Sequence, residues 1–129
     1  WECIQTNPRI ILDVAHNEHG IKALLEQLEG LHYTQLHIVT GMVKDKDVNA
    51  VLSLLPKKAT YYFTQSHIPR ALPVSELAGK GNAFGLSGSE FENVNIALQA
   101  ANKNATSNDL ILVIGSVFLV AEVDRSQRN

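Results

Sequence analysis

The 129-residue chain has one cysteine, Cys3, and therefore no internal disulfide. A lone thiol fits a reducing compartment, and a cytoplasmic location is the expectation. An excess of positive charge is also missing. Lys and Arg number 11 against 13 Asp and Glu, for a net charge of -2, so there is no basic footprint of the kind that marks a nucleic-acid partner. No apolar run approaches the roughly 20 residues that cross a bilayer, and no signal peptide is visible; neither nucleic acid nor membrane is expected as a partner. The glycine fingerprints of phosphate binding are absent too. After the first apolar run the chain reads His16-Asn17-Glu18-His19-Gly20, which is no dinucleotide loop, and Gly79-Lys80-Gly81 lacks the spaced first glycine and the hydroxyl residue of a phosphate loop. There is no Gly-x-Ser-x-Gly elbow. The chain cannot by itself cradle a triphosphate in the common way. Methionine occurs only at Met42 and the chain opens on Trp1, which reads as a piece of something longer.

What is present is an alternation. With 45% hydrophobic and 19% charged residues, the chain can bury a core of one ordinary domain, residues 1–129. Arg9 to Val14 reads as a strand covered on both faces. Ile21, Leu24, Leu25 and Leu28 then form one apolar stripe of a helix over Asn17 to Glu29, with Gly30 where a C-cap belongs. The cycle repeats with a strand at Leu36 to Thr40 and a helix carrying Val48, Val51, Leu52 and Leu55, stopped by Pro56. Tyr61 to Phe63 is a third strand, Pro73 to Lys80 a short helix, and Phe84 to Leu86 a candidate short strand. Val94, Ala97, Leu98 and Ala101 mark a further helix, Leu110 to Ile114 the most apolar strand, and Val117 to Val123 a segment whose place after Gly115-Ser116 favours helix. Strands alternating with helices predict a three-layer α/β sandwich: a mostly parallel sheet of about five to six strands with helices on both faces.

Chemistry-bearing residues cluster where these strands end, the edge at which parallel sheets bind ligands. Asp13 closes the first strand; its carboxylate can accept two hydrogen bonds from a ribose diol or tie down the following turn. Asp13, His16 and His19 have a metal-like spacing, but three ligands within one turn would have to converge tightly and no further ligand is evident, so no metal is expected. His16 is instead read as a hydrogen-bond donor toward a carboxylate or phosphate, or as a surface histidine, and Asn17 as an N-cap, behind which a helix N-terminus favours anions. Past the second strand lies the charged run Lys44-Asp45-Lys46-Asp47, where Asp45 or Asp47 would cap a helix and substrate contact stays open. Arg70, past the third strand, offers a planar fork for a carboxylate or phosphate, or is a surface arginine. Ser116, past the last, can cap a helix or bind a ligand.

Together these segments resemble the C-terminal domain of folylpolyglutamate synthase, including its bifunctional dihydrofolate synthase forms, in the wider Mur ligase family. The resemblance rests on Ile11-Leu12-Asp13-Val14-Ala15-His16-Asn17, Gly41-Met42 with Asp45-Lys46-Asp47, Pro69-Arg70-Ala71, and Leu112-Val113-Ile114-Gly115-Ser116, and it covers nearly the whole chain. Two positions depart from it: the family usually has glycine where Val14 stands and often proline where Glu18 stands. The resemblance implies a Rossmann-like C-terminal domain whose partner is an N-terminal ATPase domain of the same chain, the latter carrying the phosphate loop and magnesium ligands. It implies an ATP-dependent ligase in which a folate carboxylate is phosphorylated and the amine of L-glutamate attacks the acyl phosphate. ATP and Mg2+ would serve the full-length enzyme, none being held tightly by this piece, which alone should be inactive. By that pattern Asp13 and Asn17 lie on the nucleotide side. His16 is the candidate catalytic residue, and His16, Ser116, Arg70 and Lys46 are candidates for the substrate side.

Two other classes compete. A phosphoacceptor receiver domain would need an aspartate ending the third strand and a lysine ending the last, where this chain has Thr64-Gln65 and Gly115-Ser116. A free-standing nucleotide-binding regulator without catalysis stays open as the alternative.

Overall fold

A computed structural model describes residues 1–44 and 47–125. Its sheet has the order β1-β2-β6-β3-β4-β5, built from β1 (Glu2–Thr6), β2 (Arg9–Leu12), β3 (Leu36–Thr40), β4 (Thr60–Phe63), β5 (Gly88–Glu90) and β6 (Leu110–Ile114). Only β1 runs antiparallel, against β2; the pairs β2–β6, β6–β3, β3–β4 and β4–β5 are all parallel. The helices are α1 (Glu18–Glu29), α2 (Val48–Leu54), α3 (Val74–Ala83), α4 (Val94–Asn104) and α5 (Val117–Ala121). None of the described helices is long and apolar enough to cross a membrane.

The strand patterns explain the layering. All five residues of β6 are buried, as are all five of β3, because each lies between two strands and beneath helices on both sides. Alternate residues feed two cores. Ile11, Ile38, Leu112 and Ile114 pack with α1, α2 and α3, whereas Ile10, Leu12, Val39, Ile111 and Val113 pack with α4 and α5. Among the described residues, three helices therefore cover one face and two the other. Successive crossovers α1, α2 and α3 carry the chain outward from β2 to β5. The return to β6 reverses direction, and a crossover of unchanged hand must then use the opposite face, where α4 lies.

Two expectations need correction. Phe84 to Leu86 is not a strand: Phe84 caps α3, and Leu86 donates its N–H to the Gly81 carbonyl at 2.9 Å. The strand starts at Gly88 instead, where a side chain would overlap the Tyr61 carbonyl, so glycine is what admits the close pairing. The N-terminal hairpin strand β1 is absent from the sequence-based expectation; its residues ECIQT are largely exposed and show no apolar alternation. The short helix after Gly115-Ser116 is present as α5.

Below the sheet, at the end opposite the carboxyl termini of the strands, sits a buried polar network. His37 Nε2 lies 2.9 Å from Asp109 Oδ2 and His37 Nδ1 lies 2.9 Å from the Tyr62 hydroxyl. Asp109 also accepts from the Thr106 N–H, the Thr106 hydroxyl and the Gln35 N–H. Burial by itself raises the Asp109 carboxyl, but the hydrogen bonds from His37 and Thr106 outweigh it and hold the group below the usual carboxylate range.

Candidate functional site

The loops that leave β2 and β6 diverge, one toward α1 and the other toward α5 on the opposite face. Neighbouring strands whose loops part to opposite faces mark the switch point at which ligands bind in open α/β sheets. The two loops are tied together across it. The Asp13 N–H donates to the Val113 carbonyl at 3.0 Å and the Gly115 N–H to the Ala15 carbonyl at 3.0 Å. Asp13, His16 and Ser116 are thus brought to one rim.

Gly115 also lets the loop after β6 cross close to the end of β3. Its φ is +116°, a conformation that favours glycine, and a methyl group there would sit 2.6 Å from the Gly41 carbonyl oxygen and 2.7 Å from Thr40 Oγ1. Beneath this crossing the hydroxyls of Thr40 and Thr64 are buried with no hydrogen-bond partner among the described residues.

Each candidate side chain has a local task. Asp13 Oδ1 accepts from the Ala15 N–H at 2.9 Å. Asp13 therefore braces its own turn, yet a carboxylate has about four acceptor directions, so capacity for a ligand diol is left. His16 is exposed, with Nδ1 3.0 Å from the Val14 carbonyl. A carbonyl only accepts, so Nδ1 carries the hydrogen. The neutral ring then presents Nε2 as an acceptor and becomes a donor there only when protonated. Asn17 is the N-cap of α1, its Oδ1 accepting from the Gly20 N–H at 2.8 Å. Ser116 caps α5, its Oγ accepting from the N–H groups of Phe118 at 3.0 Å and Leu119 at 3.4 Å. These two bonds occupy the acceptor capacity of Oγ and leave its O–H to donate, although the residue is only 3% exposed. Lys46 and Asp45 lie outside the described residues. Asp47 holds the N-cap position of α2 with no side-chain hydrogen bond to the helix.

Arg70 is exposed on the loop after β4, and this loop has a partner that the sequence does not announce. Val43 and Ala71 form an antiparallel bridge. It is flanked by Lys44 N–H donating to the Arg70 carbonyl at 2.7 Å and Leu72 N–H to the Met42 carbonyl at 2.8 Å. The loops after β3 and β4 thus form a short ladder. No sequence signal pairs two three-residue stretches so far apart. Farther along, Glu122 receives the His67 N–H at 2.7 Å and lies 3.2 Å from His67 Nδ1, fastening the same loop to the end of α5. Among the described residues no group of three His, Cys, Asp or Glu side chains could hold a metal ion.

A family model, "Mur ligase, glutamate ligase domain", matches residues 1–117. The chain belongs to the Mur ligase family. This Mur ligase domain is 37% identical over 127 residues to a dihydrofolate synthase/folylpolyglutamate synthase of Buchnera aphidicola subsp. Schizaphis graminum, covering 95% of the chain and 29% of the relative. It is 32% identical to the protein of that name from Escherichia coli, with the same coverages. Among solved structures it superposes on Escherichia coli FolC in complex with ADP with a TM-score of 0.84 and 30% identity, over 93% of this chain and 29% of that one. A bifunctional folylpolyglutamate synthase/dihydrofolate synthase with Mn, AMPPNP and L-glutamate bound gives a TM-score of 0.83 at 30% identity. The Mur ligase domain therefore spans less than a third of the length of these relatives. The fold expected from the sequence, a Rossmann-like sandwich with a mostly parallel sheet, is the one observed.

Proposed function

We propose that this chain is the C-terminal domain of an ATP-dependent amide ligase that adds L-glutamate to folate, working with an N-terminal ATPase domain that supplies the phosphate loop and magnesium ligands. The observation that carries this reading is the joining of the Asp13–Asn17 and Gly115–Ser116 loops where β2 and β6 end, in a sequence without a phosphate-loop motif of its own. Relatives named for folylpolyglutamate synthesis and a neighbour solved with AMPPNP and L-glutamate support the choice of nucleotide and substrate.

In this reading Asp13 accepts the ribose hydroxyls, with Asn17 offering its side-chain NH2 group nearby. The amine of glutamate attacks the carbonyl carbon of the acyl phosphate, the C–O bond to phosphate breaks, and the nitrogen loses a proton. His16 Nε2, an acceptor in the neutral ring, is suited to take that proton. Ser116, Lys46 and Arg70 serve the glutamate side. Docking of this domain over the other would exclude water, to which an acyl phosphate is vulnerable.

The test is Asp13→Ala in the full-length enzyme. Loss of hydrogen bonds to a charged acceptor is worth about 2 kcal/mol, so KM for ATP should rise roughly 30-fold with the domain still folded. Unchanged ATP kinetics would refute the ribose assignment. The isolated chain should show no ATP-dependent glutamate addition. A free-standing nucleotide-binding regulator, the other reading, would bind adenine nucleotide tightly by calorimetry, whereas a detached ligase domain would bind it weakly.

A further inference from the structure

The short helix α5 lies across the ends of β3 and β4. A methyl group on Gly41 would sit 3.2 Å from Leu119 Cδ1 and 2.9 Å from the Thr64 carbonyl oxygen, so α5 packs where those two strands finish. Ser116 caps one end of this helix and Glu122 holds the cap position at the other. Glu122 is itself well fixed. Asn95 of α4 donates its side-chain N–H to the Glu122 carbonyl at 2.9 Å and accepts from the Asp124 N–H at 2.7 Å. The neighbouring Val120 and Val123 are buried.

The Glu122 carboxylate is directed at one residue. Oε2 accepts from the His67 N–H at 2.7 Å, and Oε1 lies 3.2 Å from His67 Nδ1. A carboxylate only accepts, so Nδ1 carries the hydrogen. The two bonds are unequal in importance. The His67 side chain is 60% exposed, and an ion pair at such a surface contributes little. The bond from the backbone N–H fixes main chain rather than a free ring, and a carboxylate acceptor strengthens it. His67 stands just ahead of the turn in which the Ala71 N–H donates to the Ile68 carbonyl at 3.1 Å. Arg70 is carried on that turn. Beyond it, the ladder joins the turn to another loop, the one after β3. Glu122 instead joins it to a helix packed on the sheet.

We infer that Glu122 is a positioning residue: by accepting the His67 N–H, it sets the turn that carries Arg70 relative to Ser116 at the other end of α5. The place of Arg70 on the substrate side rests on the function proposed above.

Two measurements on the full-length enzyme test this. In E122A, hydrogen exchange read by mass spectrometry should speed up about tenfold or more over residues 64–72 and stay unchanged over β6. H67A and E122Q keep an acceptor for the backbone N–H and should exchange at close to the native rate. In steady-state kinetics, E122A should raise KM for L-glutamate about fivefold or more, with kcat and KM for ATP within about twofold. Because Glu122 acts through the turn, E122A should add less than about twofold to the effect of R70Q. Unchanged exchange over 64–72 in E122A, exchange that rises equally over β6, or an E122A effect that adds in full to that of R70Q would overturn the inference. If R70Q itself left KM for L-glutamate unchanged, the substrate assignment of Arg70 would fail, and the exchange measurement would still decide the role of Glu122.

Discussion

Two glycine-to-alanine changes should have opposite effects, and the reasons are geometric. At Gly115 the backbone has φ +116° and an added methyl would lie 2.6 Å from the Gly41 carbonyl oxygen and 2.7 Å from Thr40 Oγ1. Holding alanine in such a conformation costs about 1–3 kcal/mol, and forcing an extra carbon into a filled site costs a further 1–3 kcal/mol or so. Gly115→Ala should therefore lose about 3 kcal/mol, which for a domain of this size lowers Tm by roughly 10 °C. At Gly79, within α3, an added methyl meets nothing within 4 Å. There alanine removes the entropic penalty of glycine in a helix and should add about 0.5–1 kcal/mol. Urea titration followed by far-UV circular dichroism reads both, with an unchanged m-value showing that stability rather than the surface exposed on unfolding has changed. If Gly115→Ala cost less than 1 kcal/mol, the close crossing of the β3 and β6 loops would not be the constraint described.

The polar network beneath the sheet should be equally sensitive. Asp109→Asn removes a charged acceptor from His37, Thr106 and Gln35 and should cost about 2 kcal/mol or more at neutral pH; a loss under 0.5 kcal/mol by denaturant titration would contradict the network's role. The Asp109 carboxyl is held below its usual value in the folded state. Its contribution is therefore fully present above the unfolded value of about 3.9 and fades as pH falls below that. The stability gap between the native chain and Asp109→Asn should narrow below about pH 4, and a gap independent of pH would show that the charge is irrelevant. Tyr62→Phe removes the hydroxyl shared by His37 and Asn104. Combined with Asp109→Asn it should be non-additive by about 0.5 kcal/mol or more in a double-mutant cycle; strict additivity would mean the two bonds do not communicate. Asn17→Ala should lose about 1 kcal/mol through the cap of α1, measured by the same titration, and no loss would remove the cap from the account.

Much of this architecture can be read from spacing alone, where burial dictates pattern. The runs Ile10-Ile11-Leu12 and Leu110 to Ile114 are apolar on both faces because they lie inside the sheet, and the stripe of Ile21, Leu24 and Leu28 follows one side of α1. Where burial does not dictate, the sequence is silent or misleading. β1 is an exposed edge strand held by backbone pairing with β2, which leaves no hydrophobic signature. Leu86 is buried, but beside the end of α3 rather than in a strand. Asp13, His16, Arg70 and Ser116 follow the carboxyl ends of strands, as their places after the apolar runs suggest. Their hydrogen bonds cannot be anticipated, because caps and turns consume the same oxygen atoms that ligands would use. The ladder between the loops after β3 and β4 leaves no trace in the sequence either, since it pairs short stretches far apart along the chain.

The placement of β6 between β2 and β3 has a consequence for how the protein is made. Synthesised from the amino end, the hairpin and the β3–β5 block have no strand in common until Leu110 to Ile114 arrives as the keystone. Before then the growing chain carries two open, apolar edges of the kind that invite pairing with other chains. Premature termination ahead of Leu110 should therefore yield aggregates rather than a smaller stable domain, and the rim that joins Asp13 to Gly115–Ser116 comes into being only with β6.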